Sequence, residues 1–140
     1  MPILEQVLEQ YPNDVKLVFK SFPLERIHKY AMDAAIAAQA ANKQGKFWEF
    51  HKELFKNYNK LSEEKINEIA QSVGLDMEQF KKDREDPVLA ALVQRDLKEG
   101  VEDGVRGTPT IFINGRMLQQ RSLPGFKQMI DEELAKTKGK

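Results

Sequence analysis

The sequence predicts an α/β fold in which a long block of helices is inserted into a smaller domain of strands and helices. In the middle of the chain, apolar residues recur at helical spacing over about seventy-five residues. Before this block, "VKLVFKSFPL" is rich in the β-branched and aromatic residues that favour strands. After it, "TIFINGRMLQQR" has the Asn-Gly turn that is typical of a β-hairpin. The predicted order is therefore helix, strand, helical block, strand, strand, helix.

The smaller domain is predicted over residues 1–26 and 104–140. In "ILEQVLEQY" the apolar side chains share one helical face, and Pro12 interrupts the pattern. Residues 15–22 nearly alternate between apolar and polar side chains, which predicts a strand. The hairpin turns at Asn114-Gly115, and "GFKQMIDEELAK" predicts a closing amphipathic helix.

Residues 27–103 are predicted to form the helical insert. Three of its helices begin at residues that cap helix N-termini well, namely Ser62, Asp76 and Asp86. Pro87 follows the last of these caps, and proline suits the first helical position because its missing N–H would have no partner there.

An aromatic stripe lies within this insert, in "KFWEFHKELFKNY". Phe47, Phe50, Leu54 and Tyr58 are aligned at helical spacing, with Trp48 and Phe55 beside them. A stripe of this kind predicts buried core in preference to a ligand-binding surface.

The charge pattern argues against nucleic acid and membrane partners. The chain has 22 Lys and Arg residues against 22 Asp and Glu residues, interleaved along its length, so no basic stripe is present to follow a phosphate backbone. No apolar run approaches the ~20 residues that span a bilayer. The first residues also lack the basic start and apolar middle of a secretory signal.

The 140 residues contain no cysteine. Disulfides, thiolate nucleophiles and thiolate metal ligands are therefore excluded within this sequence. Its two histidines, His28 and His51, are distant from one another, and neither has the second histidine at helical spacing that a zinc hydrolase offers. We expect no metal site, no cofactor and no catalytic residue in this chain.

The segment "VRGTPTIFING" resembles the part of thioredoxin-fold proteins in which a cis-proline precedes a strand. The helical insert containing "GKFWEFHKELF" is similar to that of the DsbA-like thiol-disulfide oxidoreductases, and the likeness covers residues 2 to about 136. The resemblance implies that Thr108 and Pro109 form a cis-proline loop and that Gly107, Thr108 and Pro109 face a substrate protein or peptide. The alternative from position alone is that Pro109 merely begins a strand. Arg106 either meets a substrate carboxylate or is a solvated loop charge.

The departure from this family is the missing Cys-x-x-Cys motif. "MPILEQVLEQYP" resembles the later part of the helix that carries those cysteines, which implies a truncation before or within this helix. The first central strand of the fold would be missing with them, and this strand lies between the strands predicted at residues 15–22 and 110–114. Buried backbone groups without partners cost about 1–3 kcal/mol each, so we expect these strands to pair directly or to pair between chains in a homodimer.

Three functions fit the resemblance. The first is a DsbA-like thiol-disulfide oxidoreductase, acting on substrate proteins with thiols or disulfides, of which this cysteine-free chain is a redox-inactive part. The second is a non-catalytic peptide-binding or chaperone module of thioredoxin fold. The third is a glutathione-dependent relative similar to kappa-type transferases and isomerases. The resemblance implies an extracytoplasmic location for the parent protein and does not distinguish oxidase, reductase and isomerase.

Overall fold

The computed structural model describes residues 2–23 and 29–138 of the chain. These residues form seven α-helices, a short 3-10 helix and two short strands. In chain order they are α1 (Pro2–Gln10), α2 (Ala31–Lys43), α3 (Phe47–Lys56), the 3-10 helix (Tyr58–Lys60), α4 (Glu63–Ser72), α5 (Met77–Glu85), α6 (Pro87–Glu102), β1 (Phe112–Ile113), β2 (Arg116–Met117) and α7 (Leu123–Lys138).

The chain divides into two compact units. Met1–Phe19 and Gly107–Lys140 form one, which we call the sheet unit, and Lys20–Arg106 form the other, which we call the helical unit. The predicted boundary at residues 26 and 27 lies outside the described residues. The division of the sequence into residues 1–26 with 104–140 and residues 27–103 stays a prediction.

The core of the helical unit is built on the alanine-rich helix α2. Ala37, Ala40 and Ala41 are fully buried, and their small side chains let α3, α5 and α6 pack closely against this helix. Phe50 and Phe80 are also buried, and their ring centroids lie 5.8 Å apart. The two rings are the largest of the fully buried side chains.

The three predicted N-caps are confirmed. The Ser62 side chain accepts a hydrogen bond from the backbone N–H of Lys65 at 3.0 Å, at the start of α4. Asp76 accepts from the N–H of Gln79 at 3.1 Å at the start of α5. At the start of α6, Asp86 accepts from Val88 at 2.9 Å, with Pro87 in the first helical turn.

The predicted aromatic core is only partly correct. Phe47, Phe50 and Leu54 are buried, but Trp48 and Phe55, which lie beside the stripe, are 48% and 64% exposed. Tyr58, within the stripe, is 59% exposed. The reason is that α3 ends at Lys56, and Tyr58 begins the 3-10 helix. The spacing of 3.6 residues per turn no longer holds there, so Tyr58 leaves the buried face.

The sheet unit consists of α1, α7 and the hairpin. Val7 of α1 is buried together with Phe126 and Ile130 of α7. The predicted hairpin is confirmed, since β1 and β2 pair antiparallel around Asn114 and Gly115, whose φ angles are 48° and 81°. Two positive φ angles give the turn a twist that matches the paired strands.

The strand predicted at residues 15–22 is wrong. None of these residues is in a strand, and no backbone–backbone hydrogen bond between described residues involves residues 16–18. A sheet consisting of β1 and β2 alone is found in the described part of the chain, so the expected direct pairing of residues 15–22 with residues 110–114 does not occur. The alternation favours a strand only where a neighbouring strand can accept its hydrogen bonds. Pairing between chains in a homodimer stays a prediction.

Candidate functional site

The three residues expected to face a substrate are consecutive and lie in the sheet unit, directly before β1. The peptide bond between Thr108 and Pro109 is cis. Thr108 and Pro109 are exposed, whereas Gly107 is half-buried. We call residues 107–109 the cis-proline loop. Its two last residues are accessible to a ligand.

Two side chains of the sheet unit hold this loop. The Thr110 hydroxyl donates a hydrogen bond to the carbonyl oxygen of Gly107 at 2.7 Å. Nη1 of Arg121 donates to the carbonyl oxygen of Pro109 at 2.9 Å. The carbonyl groups on either side of Thr108 are therefore already engaged, which fixes the backbone around that residue.

Thr108 itself presents an unpaired backbone. No hydrogen bond between described residues involves its N–H or C=O group. The residue is exposed, so water satisfies these groups in the free protein. A ligand that approaches in an extended conformation could exchange this water for its own backbone groups.

Strand β1, which follows the cis-proline loop, pairs with β2 on one of its two sides. Ile113 lies opposite Arg116, and the N–H of Leu118 donates to the C=O of Ile111 at 2.8 Å. Backbone groups of alternate residues in an antiparallel strand point to opposite sides, so those of Phe112 point away from β2. The described residues place no further strand on that side. No strand of the described residues therefore pairs with β1 along the edge that begins at Thr108.

The segment that carries Arg121 is fixed by the start of α7. The Ser122 hydroxyl accepts a hydrogen bond from the N–H of Gly125 at 3.2 Å, which caps the helix. Gly125 packs so closely on the preceding segment that an added Cβ would overlap the carbonyl oxygen of Gln120. As a result α7 begins at Leu123, two residues before the predicted helix. This packing sets the position from which Arg121 reaches Pro109.

Neither Thr110 nor Arg121 was among the residues that the sequence indicated. The contact of Arg121 with Pro109 joins residues twelve positions apart and depends on the hairpin bringing the chain back beside the loop. The predicted hairpin was a signal that these segments approach one another, but it did not indicate which side chain would make the contact.

The arginines near the site differ in their partners. Nη1 of Arg116 lies 3.0 Å from Oε2 of Glu132 and 3.4 Å from Oε2 of Glu133. Lys136 and then Arg116 hold the pKa of the Glu133 carboxyl below its usual value. By contrast, no carboxylate of a described residue lies within ion-pairing distance of Arg121 or of Arg106, which is exposed. The substrate contact considered for Arg106 stays a prediction.

The described residues contain no group of three or more side chains able to hold a metal ion. His51 is half-buried, and this burial lowers the pKa of its imidazole, whereas His28 lies outside the described residues.

None of the helices over residues 2–23 and 29–138 is long and apolar enough to cross a membrane. A thiolate for disulfide exchange is not among the 140 residues of the sequence.

Comparison with known proteins places this geometry in context. Residues 2–132 match the model of a family described as thioredoxin. The crystal structure of a thioredoxin-like oxidoreductase from Silicibacter pomeroyi is similar, with a TM-score of 0.79 and 28% sequence identity. The match covers 97% of this chain and 77% of that chain.

Curated relatives are similar over one part of their length. The Na(+)/H(+) antiporter NhaA 1 of Mycolicibacterium vanbaalenii is 37% identical over 116 residues, which is 80% of this chain and 18% of that protein. The Na(+)/H(+) antiporter NhaA 3 of Salinispora tropica is 35% identical over 115 residues, covering 82% of this chain and 18% of that protein. The chain thus spans about a fifth of the length of these relatives.

Proposed function

Because the chain belongs to the thioredoxin family, we propose that its cis-proline loop is the peptide-binding part of a DsbA-like thiol-disulfide oxidoreductase. The similarity to a thioredoxin-like oxidoreductase supports a thiol-disulfide oxidoreductase type of function in general. The observation that carries the proposal is the exposed Thr108, whose backbone has no hydrogen-bond partner among the described residues while both neighbouring carbonyls are engaged.

In this proposal the substrate binds as an added strand. The N–H of Thr108 donates to a carbonyl of the substrate, and the C=O of Thr108 accepts from a substrate N–H. Recognition through the backbone is tolerant of side-chain sequence, which suits an enzyme that acts on many proteins. It also holds the substrate extended, so that a disulfide within it is accessible.

The reactive cysteines would come from polypeptide outside these 140 residues. One thiolate would attack a sulfur of the substrate disulfide, forming a mixed disulfide and releasing the other substrate sulfur as a thiolate. Residues 1–140 would contribute binding and orientation to this step. The chain alone is therefore expected to reduce insulin in the presence of dithiothreitol no faster than the background rate.

A non-catalytic peptide-binding module is the second candidate. The absence of cysteine from the sequence favours it, because binding at Thr108 needs no thiol. The two functions differ in the residues encoded directly before Met1. A Cys-x-x-Cys motif in that reading frame supports the oxidoreductase, and a reading frame without it supports the binding module.

The binding itself is tested at Thr108 with a matched pair of variants. Thr108→Pro removes the N–H, whereas Thr108→Val retains it and removes only the hydroxyl. We expect Thr108→Pro to weaken the binding of a fluorescein-labelled, cysteine-free extended peptide roughly tenfold, because about one hydrogen bond is lost and its partner is left unsatisfied. Thr108→Val should bind as the unmodified chain does.

Amide hydrogen exchange provides the second measurement. On saturation with the same peptide, the N–H of Thr108 should exchange more slowly, while the N–H of the buried Leu118, which already donates to Ile111, should change little. Equal affinity for the two Thr108 variants, with no protection of this amide, would contradict the proposal.

A further inference from the structure

We propose that a cavity in the helical unit binds a small organic ammonium compound with an aromatic body. The cavity has a volume of about 610 Å³ and lies between α2, α4 and α5. Sites for small ligands typically measure about 300–1,000 Å³, so the cavity is large enough to take one. Its lining residues all belong to the helical unit, and the site is separate from the peptide binding proposed at Thr108.

The floor of the cavity is apolar. Ile36 of α2 and Met77 of α5 line it, and both are half-buried and pack against the main core of this unit. Phe80, which is 1% exposed, lines the cavity as well. A methionine thioether makes favourable contacts with aromatic rings and adapts its shape to them. An aromatic ligand would therefore cover apolar surface that water contacts in the free protein.

An ion pair between α4 and α5 forms one wall of the cavity. Nη2 of Arg84 lies 2.9 Å from Oε1 and 3.0 Å from Oε2 of Glu63, so both carboxylate oxygens are engaged. Cζ of the same arginine lies over the Phe80 ring, 5.5 Å from its centroid. These contacts restrict the rotamers of Arg84, and a wall that is already ordered loses little freedom when a ligand binds.

The rim of the cavity keeps a net negative charge. Three carboxylates and two cationic side chains line it, namely Asp33, Glu63, Glu85, Lys81 and Arg84. Glu63 and Arg84 neutralise one another. Lys81 and Glu85 are four residues apart on α5, so they are neighbours on its surface and their charges offset. The charge of Asp33 remains.

Asp33 is placed to hold a cation beside the apolar floor. It lies three residues before Ile36 on α2, which puts both side chains on one face of the helix. No Lys or Arg in the described part of the chain lies within ion-pairing distance of its carboxylate. The residue is half-buried, and charges attract more strongly where less water separates them. An ammonium group joined to an aromatic ring by a short linker would satisfy both Asp33 and the floor.

The test compares three probes of similar shape that differ in charge. They are naphthylethylamine, naphthylethanol and naphthylacetate, and each is titrated into the 140-residue chain while two-dimensional amide NMR spectra are recorded. The amine should shift the amide signals of Ile36 and Met77 and leave that of Leu118, in the sheet unit, unchanged. At low salt the amine should bind about fivefold more tightly than the alcohol, as a partly exposed ion pair allows, and the acetate should bind least tightly.

Three variants separate the charge of Asp33 from other causes. Asp33→Asn should abolish the preference for the amine over the alcohol. Glu64→Gln removes the same charge from an exposed residue of α4 outside the cavity and should leave the preference intact. Met77→Ser reduces the apolar floor and should weaken the amine and the alcohol by the same factor. Asp33 also lies in the first turn of α2, where a carboxylate stabilises a helix, so a thermal unfolding curve establishes that each variant is folded.

Each outcome decides the matter. The inference is overturned if none of the probes binds, if all three bind equally well, or if the shifted signals lie outside the cavity. A preference for the amine that survives in Asp33→Asn, or that Glu64→Gln also abolishes, overturns it as well, as does unchanged binding to Met77→Ser. Preferred binding of the amine at Ile36 and Met77 that is lost with Asp33 alone supports it. All of these results leave peptide binding at Thr108 as it stands.

Discussion

Gly125 of α7 offers a sharp test of the packing that positions Arg121. In an ordinary helix, replacing glycine with alanine stabilises the protein by about 1 kcal/mol, because alanine has less backbone freedom to lose. At Gly125 the added Cβ would overlap the carbonyl oxygen of Gln120 and lie 3.1 Å from its carbonyl carbon. Because these are backbone atoms, no change of rotamer relieves the overlap, and the segment before α7 must move.

The size of the effect follows from the balance of these two terms. Forcing an additional methyl into a packed site costs about 1–3 kcal/mol, and the upper end applies where backbone has to shift. After subtraction of the gain in helix propensity, Gly125→Ala should destabilise the protein by about 2 kcal/mol. Gly100 of α6 is the matched control, since a Cβ there would lie 2.8 Å from Cδ1 of the Phe22 ring, and a side chain can turn aside.

Urea unfolding followed by far-ultraviolet circular dichroism measures both variants. We expect a lower midpoint for Gly125→Ala and a nearly unchanged midpoint for Gly100→Ala. The Arg121 contact with Pro109 should be weakened in the first variant only. A Gly125→Ala protein as stable as the unmodified chain would refute the close approach of Gln120 to α7.

Three further predictions concern the core and two titrating groups. Phe80 is 1% exposed, so Phe80→Ala should lower the free energy of unfolding by about 3–5 kcal/mol in urea titrations, and Phe80→Leu by less. Burial lowers the pKa of His51 below its usual 6.5, so the folded state binds this proton more weakly than the unfolded chain does. Stability should therefore fall as the pH drops below about 6.5. Urea midpoints measured on either side of this pH should show the fall in the unmodified chain and not in His51→Gln. Donation of its hydroxyl to Asp131 raises the pKa of Tyr11 to about 12, and an ultraviolet titration of Asp131→Asn should show this value return towards 10.

Local signals predicted those parts of the fold that local chemistry controls. The N-caps Ser62, Asp76 and Asp86 form the expected hydrogen bonds because a cap needs only the next two or three residues of its own helix. The turn at Asn114 and Gly115 forms because both residues tolerate positive φ. These features are encoded in short stretches and depend little on the rest of the chain.

Features that need a distant partner could not be predicted in this way. The alternation in residues 15–22 favours a strand, yet a strand is stabilised by pairing with a neighbouring strand, and none of these residues is in a strand. Tyr58 continues the aromatic spacing of α3, but the helix ends before it. In each case the periodicity is present in the sequence, and the surroundings decide whether it is used.

The sequence by itself determined the order of the helices, the three N-caps at Ser62, Asp76 and Asp86, the hairpin turn and the lack of any thiol, since each is a property of neighbouring residues or of composition. Only the tertiary structure decided how residues 107–109 are presented. The return of the hairpin brings Arg121 to the carbonyl of Pro109, and the close packing of Gly125 on Gln120 holds it there. The first contact joins residues twelve positions apart and the second depends on how the segment before α7 folds back onto the start of the helix, so both need folded geometry that the residue pattern alone does not specify.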